Sequence, residues 1–441
     1  MKIAIIGFGK EGRSAYEHWK NGNEITVCDS NESLYLPPGV SARLGKNYLK
    51  ELDNFDLIVR SPGIHPGFIE EANGKDILEK VTTVTNEFFR VCPAKNIIGV
   101  TGTKGKGTTS MLIAKMLKEA GKYVHLGGNI GTPALDMLNG TGDLHKAARP
   151  IQKDDYVVLE MASQQLVDFK YAPKIGVCLM IAPEHLNWHT DLNDYFTAKK
   201  QLFARQTPDD TAVYYAKNDY SRDIAGVTQG TLIPYYGPPG AIVENDDIII
   251  DNQSICSTDE IELPGAHNWQ NACAAVTAVW QISRDTQAIR KVLTTFAGME
   301  NRLELVRELD GVKYYNDSFG TTPETAIVAV QAFEEPKIVI LGGSDKGASY
   351  DELAEVVKGS NIRRVLLIGE QGARIRKALD KAGFSNYGPG GKDIEEIVNT
   401  ARRESRAGDV VLLSPACASF DMFENYADRG EKFRSTVLKL G

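Results

Sequence analysis

The stretch Gly99-Val-Thr-Gly-Thr-Lys-Gly-Lys-Gly-Thr-Thr109 lies between an apolar run, residues 97–100, and an amphipathic one, residues 111–117. Strand, glycine-rich turn and helix is the context in which a loop wraps a phosphate. Glycines let successive N–H groups converge, the helix N-terminus adds partial positive charge, and a lysine reaches the outer phosphates. Gly102, Thr103, Lys104, Gly105, Lys106, Gly107, Thr108 and Thr109 are therefore candidate contacts of a nucleoside triphosphate, read as ATP. A Ser or Thr normally follows the Gly-Lys pair and ligates Mg²⁺. Here Gly107 stands in that place, and Thr108, the nearest hydroxyl, becomes the candidate ligand.

The remaining composition sets the frame. A chain of 441 residues with 42% hydrophobic and 24% charged residues is globular and long enough for several domains. A net charge of −8 without a long basic run argues against nucleic acid as the main ligand. Six cysteines lie far apart with no Cys-x-x-Cys, which suggests neither a zinc site nor a disulfide framework. The N-terminus runs straight into a strand and a glycine turn, and no apolar run is long enough for a membrane span. The expectation is a cytoplasmic protein.

Three blocks each open with a strand-to-helix signal. The first has strands at Lys2–Ile6, at 24–28 ending on Asp29, and at 57–59 running into Ser61. The second carries the glycine loop, strands at 156–159 and 175–181, a helix at 271–282 and a segment at 287–296. Stretches such as 247–251 suggest an antiparallel extension of its sheet, and 139–155 reads as a polar surface excursion. The third shows strands at 337–341, 364–368 and Val410–Leu413. Strands alternating with helices predict an α/β protein of parallel, doubly wound sheets. The expected domains are 1–93, 94–299 and 300–441.

Gly7-x-Gly9-x-x-Gly12 follows the first strand, and Asp29 closes the next. This is the layout of a Rossmann unit, with phosphate at the helix N-terminus and an acid for a ribose hydroxyl. Taken alone it fits a nicotinamide dehydrogenase as well as a diphosphate-linked nucleoside such as a UDP-sugar. Two nucleotide signatures in separate blocks favour ATP at one and a nucleotide-bearing substrate at the other. In the second block Glu160 ends a strand, where a carboxylate suits Mg²⁺. His185 follows the next strand, Lys199 lies on an apparent helix, and Asn129 on a loop with room for substrate. A structural histidine and a surface lysine remain open readings for His185 and Lys199.

Together the motifs resemble the Mur ligase family, which includes the folylpolyglutamate synthetases, and within it the branch that adds D-glutamate. The resemblance rests on Gly-Phe-Gly-Lys-Glu-Gly-Arg-Ser14, the glycine loop, Gly-Gly-Asn129, Glu160, His-Leu-Asn-x-His189, Ala-Lys199 and His-Asn-x-x-Asn271. It continues through Asn-Arg302, Asn-Asp317-Ser, Gly-Gly-Ser-Asp-Lys346 and Ser414 to Asp421, and so covers essentially the whole chain. It implies a Rossmann-like UDP-binding domain, a P-loop ATPase-like central domain and a Rossmann-like C-terminal domain.

The implied reaction joins D-glutamate to UDP-N-acetylmuramoyl-L-alanine through an acyl phosphate made from ATP. Lys106, Lys199 and His185 match catalytic positions. Thr108, Glu160, His185 and a carbamylated Lys199 match ligands of two Mg²⁺ sites, since an unmodified lysine would repel a cation there. Asn271, Arg302 and Asp317 match ATP-positioning residues. Gly9, Lys10, Glu11, Asp29, Ser30, Ser61 and Asn129 match the UDP-substrate site; Thr321, Lys346, Ser419, Phe420 and Tyr426 match the D-glutamate pocket. Domain closure would join the two substrates, and a monomer is expected. Departures from the family pattern are Gly107 (a variant similar to the folylpolyglutamate branch), Phe319 in place of Lys, and Ala162 and Gln164 in place of Ser and an aromatic. The diamino-acid enzymes' Asp-Asn-Pro-Arg motif is absent.

Overall fold

In the computed structural model, residues 1–441 are described except Ser33, Ile130, Asp143, 146–148, Asn187, Pro264, Met299, Glu300, Lys346 and Gly347. The chain forms two compact units, Met1–Phe296 and Ala297–Gly441.

The first unit contains two parallel sheets. One has the order Ser41–Leu44, Glu24–Asp29, Lys2–Ile6, Leu57–Arg60, Val81–Thr82. Its central strand has four of five residues buried, as a strand covered on both faces requires. Register pairs Ile6 with both Cys28 and Arg60, so Gly7, Asp29 and Ser61 emerge side by side. The other sheet runs Thr231–Tyr235, Thr211–Tyr215, Ile175–Cys178, Asn96–Thr101, Tyr156–Glu160, Val124–Gly128, all parallel. The chain leaves Asn96–Thr101 towards one edge and later returns on its other side. The glycine loop thus sits where strand order reverses, the place at which open α/β sheets bind ligands. A shared apolar core containing Ile3, Phe88, Ile97, Val157 and Phe203 runs through the first unit.

Two expectations are corrected. The stretch at 247–251 does not extend the central sheet: Ile242–Glu244, Asp247–Ile250 and Gln253–Ser257 form a separate antiparallel sheet, while Thr211–Tyr215 and Thr231–Tyr235 extend the main one in parallel. Alternating burial looks the same in either sheet, so the pattern alone could not assign it. The helix expected at 271–282 spans Ala266–Trp280, its polar first turn Ala-His-Asn-Trp-Gln hiding the start. The excursion at 139–155 ends on a buried anchor, for Asp155 receives a bidentate pair from Arg149 (2.7 and 2.7 Å) and a bond to His125 (3.1 Å).

The second unit holds one sheet, Glu304–Leu309, Val312–Asn316, Val410–Leu413, Lys337–Gly342, Ile362–Ile368, Tyr387–Pro389. Only its first strand is antiparallel, a departure from the parallel expectation at a single edge. Among the described residues no helix is long and apolar enough to cross a membrane. All six cysteines are buried and free.

Candidate functional site

The glycine loop joins strand Asn96–Thr101 to helix Lys106–Glu119. Gly105 caps that helix in the left-handed region (φ 83°), and a Cβ there would come within 2.2 Å of Asn271 Oδ1. Glycine is therefore required on both backbone and packing grounds. Among the described residues no side chain caps the helix, whose first N–H groups suit an anionic acceptor. Lys106 Nζ donates to the carbonyls of Gly102 (3.0 Å) and Thr103 (2.9 Å), folding back over the loop. Thr103 Oγ1 accepts from Ala182 N–H at 2.9 Å and lies 2.9 Å from Tyr195 Oη, locking the loop to its neighbours. Thr109 donates to Asn271 (3.4 Å), which donates in turn to Asn268 (3.1 Å). Lys104 is exposed, Gly107 buried and Thr108 half-buried on the first helical turn.

Glu160, His185 and Lys199 converge beside this loop. Glu160 is buried at the end of its strand, with Val100 as its register partner. Its Oε1 accepts from Asn129 Nδ2 at 2.7 Å, and its carbonyl accepts Asn129 N–H at 2.8 Å. Lys199 is buried, with Nζ donating to Gly102 O (3.0 Å) and Thr101 Oγ1 (3.3 Å). Burial, followed by the nearby charge of Lys106, lowers its pKa from 10.5 to about 7, with Glu184 and Glu160 among the groups acting the other way. His185 occupies the left-handed region (φ 57°), unusual for a non-glycine residue. Burial and the charges of Lys106 and Lys199 push its pKa down, against Glu184 3.5 Å away.

Around the first sheet, several expected ligand contacts hold the protein itself. Asp29 accepts N–H bonds from Phe8 (2.8 Å) and Asn31 (2.9 Å), so its carboxylate braces the glycine turn. Ser61 Oγ donates to Gly7 O at 2.7 Å. Lys10 Nζ donates to Gly131 O. Glu11 accepts from Gln165 Nε2 at 2.6 Å, its other oxygen is buried with no hydrogen-bond partner among the described residues, and burial raises its pKa to about 7. Gly9 and Ser30 are exposed.

In the second unit, Asp317 and Ser414 follow neighbouring strands and bond at 2.6 Å. Burial raises Asp317 to about 6, against Ser414, the Leu303 N–H and the charges of Arg302 and Arg429. Arg302 lies over the Phe319 ring (5.7 Å), and Phe319 meets Tyr426 edge-on at 5.3 Å. Thr321 N–H donates to Phe319 O. Ser419 is buried while the adjacent Phe420 is exposed. Lys346 lies outside the described residues.

Comparison with known proteins adds to this geometry. The Mur ligase middle domain matches residues 100–279, and the Mur ligase glutamate ligase domain residues 301–417. The UDP-N-acetylmuramoylalanine–D-glutamate ligase of Clostridium tetani is 36% identical over 460 residues, spanning 100% of this chain and 97% of that protein. The chain belongs to the Mur ligase family. Solved structures share the fold at low identity. UDP-N-acetylmuramate–alanine ligase of Thermotoga maritima has a TM-score of 0.54 at 17% identity, over 100% of this chain and 99% of that one. The E. coli FolC protein in complex with ADP has 0.56 at 17%, over 80% and 94%.

Within this Mur ligase several partners had no sequence signal. Fully buried Arg60 pairs with Asp168 through two bonds (2.7 and 2.9 Å), tying the first sheet to the segment after Glu160. Arg429 is buried with its guanidinium on Ser318 and on the carbonyls of Cys417 and Ala418. Ser163, His189, Asp194 and His65 form a further chain. Of these only His189 stood in a quoted motif. Asp194 lies only five positions from His189, but Ser163 and His189 are 26 positions apart and His65 and Asp194 129 apart, where spacing carries no information.

Proposed function

We propose that this chain ligates D-glutamate to UDP-N-acetylmuramoyl-L-alanine, consuming ATP and releasing ADP and phosphate, in peptidoglycan precursor synthesis. The observation that carries this reading is the end-to-end similarity to ligases of that name at 36% identity. The charged cluster at the glycine loop supports it chemically. The substrate carboxylate attacks the γ-phosphorus, ADP leaves, and the resulting acyl phosphate is attacked at carbon by the D-glutamate amine. Phosphate departs with one oxygen of the original carboxylate, and the amine's proton goes to solvent or a base.

Two anions must approach for the first step, so cation placement dominates its barrier. Lys106, now on the carbonyls of its own loop, is assigned to the γ-phosphate. The loop N–H groups, Gly102 to Thr109, and Asn271 are assigned to ATP. A protonated Lys199 close to Lys106 would repel a divalent ion, which suits the site only if that lysine changes sign. An amine at about 7 is substantially neutral at physiological pH, the form that attacks CO₂ to give a carbamate. With Lys199 carbamylated, its oxygens join Glu160 and His185 as a donor set compatible with Mg²⁺, and Thr108 is assigned to a second ion beside the phosphates. Mg²⁺ so held would offset phosphate and carboxylate charge.

Gly9, Lys10, Glu11, Asp29, Ser30 and Ser61 are assigned to the UDP moiety directly or by shaping its turn, and Asn129 to orienting Glu160 beside the substrate. In the second unit Arg302 and Asp317 are assigned to the nucleotide, and Thr321, Lys346, Ser419, Phe420 and Tyr426 to D-glutamate. Functional blocks 1–93, 94–299 and 300–441, a cytoplasmic location and a monomer complete the reading.

The test is phosphate release from ATP with Mg²⁺ and UDP-N-acetylmuramoyl-L-alanine while the amino acid is varied. Release should depend on D-glutamate. Stimulation by L-alanine or a diamino acid instead would overturn the specificity, and no stimulation by any amino acid would overturn the ligase reading.

A further inference from the structure

Asp194 lies in the first turn of helix Leu192–Lys200, whose last turn carries Lys199. Its Oδ2 accepts from three donors: His189 Nδ1 (2.9 Å), His65 Nε2 (3.2 Å) and the Thr190 N–H (3.2 Å). Beyond His189, Nε2 is 2.9 Å from Ser163 Oγ. One backbone group dictates the proton positions. Gly67 N–H donates to His65 Nδ1 at 3.0 Å, so the neutral ring carries its hydrogen on Nε2, facing Asp194. The carboxylate can only accept, so His189 presents Nδ1–H and its Nε2 accepts the Ser163 hydroxyl proton.

These ligand atoms of His65, His189 and Asp194 lie within 4.8 Å of one another, close enough to suggest a metal site of their own. The Gly67 bond argues against it. A cation on His65 Nε2 would move the ring hydrogen to Nδ1, against an N–H donor. The chain is instead wired as a closed set of hydrogen bonds.

Three members of the chain lie on segments that carry a candidate metal ligand. His189 lies one turn after His185, and its N–H donates to His185 O at 2.9 Å. Ser163 begins the short helix just after Glu160, and Asp194 shares a helix with Lys199. His65 comes from the loop after strand Leu57–Arg60, where Trp188 Nε1 also donates to Gly63 O (3.2 Å). We propose that Asp194 is a positioning residue which, through His65, His189 and Ser163, sets the mutual placement of Glu160, His185 and Lys199 and thereby the affinity of that site for a divalent cation. The proposal rests on the metal-site reading given above.

His65 allows the wiring role to be separated from a structural one. His65→Asn retains an acceptor for Gly67 N–H, since asparagine is a good helix N-cap, but removes the donor to Asp194. His65→Gln does the reverse. The probe is Mn²⁺ alone, without nucleotide and in bicarbonate buffer, its binding read from loss of the free-ion EPR signal, with melting midpoints as the check on folding. Wild type should bind and Glu160→Gln should not. His65→Asn and Ser163→Ala should weaken Mn²⁺ about tenfold, the lower end of what outer-shell partners of metal ligands contribute, while His65→Gln binds close to wild type. If Glu160→Gln loses the ion but His65→Asn and Ser163→Ala bind normally, the positioning role is overturned and the metal site stands. If wild type fails to bind, or Glu160→Gln binds as well, the metal reading falls and takes this proposal with it.

Discussion

Replacing Lys199 by methionine should stabilise the first unit while removing activity. The amine is buried and its pKa falls from 10.5 to about 7, which corresponds to a penalty of about 5 kcal/mol for holding the charged form at neutral pH. Methionine fills a similar volume with an unbranched, adaptable stem. Two hydrogen bonds, to Gly102 O and Thr101 Oγ1, are lost, at about 1 kcal/mol each. The net gain is about 2–3 kcal/mol, or roughly 5 °C in melting midpoint for a unit of this size. The sign with pH follows from linkage. Well above pH 10.5 the folded and unfolded lysines are both neutral, the charge penalty vanishes, and the variant retains only the cost of its two lost hydrogen bonds. As pH falls from 10.5 towards about 7 the unfolded chain gains a proton that the folded chain resists, so the advantage grows and then levels off below about 7. All four tryptophans (19, 188, 269 and 280) lie in the first unit, so fluorescence melting in CO₂-free buffer reports that unit alone. A midpoint at pH 7 equal to or below wild type, or a difference that does not shrink towards pH 10, would refute the reasoning.

Thr108→Val keeps shape and deletes the hydroxyl; the Mg²⁺ concentration for half-maximal activity should rise several-fold, and an unchanged value would assign that place to water or another group. Asn129→Ala releases Glu160 Oε1 from its 2.7 Å bond and should weaken Mg²⁺ activation by about tenfold, read from the same titration. Lys346→Met should raise the KM for D-glutamate at least tenfold with that for UDP-N-acetylmuramoyl-L-alanine nearly unchanged; equal losses would move Lys346 out of the amino-acid pocket. Arg60→Met leaves the Asp168 carboxylate without its bidentate partner and should destabilise the first unit by about 3–5 kcal/mol, seen as a lowered fluorescence melting midpoint.

Much of the site could be read from the chain because phosphate recognition is local. The strand, the turn through Gly102 and Gly105, and the helix beginning at Lys106 are contiguous, so spacing alone specified their geometry. The strand end at Glu160 was legible for the same reason, whereas the strand Val312–Asn316 before Asp317 was not read from the sequence. What the sequence could not supply was the long-range part. Strand order in the central sheet brings Glu160 beside Val100 across 60 positions of chain, and no periodicity encodes that neighbour. Asp29 illustrates a second limit: its position suits a ribose, yet both its oxygens accept backbone N–H bonds, a use that composition cannot distinguish from ligand binding. Asp194 shows the third, since a carboxylate in a helical first turn reads as ordinary capping until His65, 129 positions away, is seen donating to it.

The central claim is that the UDP-linked carboxylate is activated as an acyl phosphate, and oxygen tracing tests it most directly. UDP-N-acetylmuramoyl-L-alanine carrying ¹⁸O in its terminal carboxylate should transfer one labelled oxygen to each phosphate released in the presence of D-glutamate. Unlabelled phosphate accompanying amide formation would contradict the account.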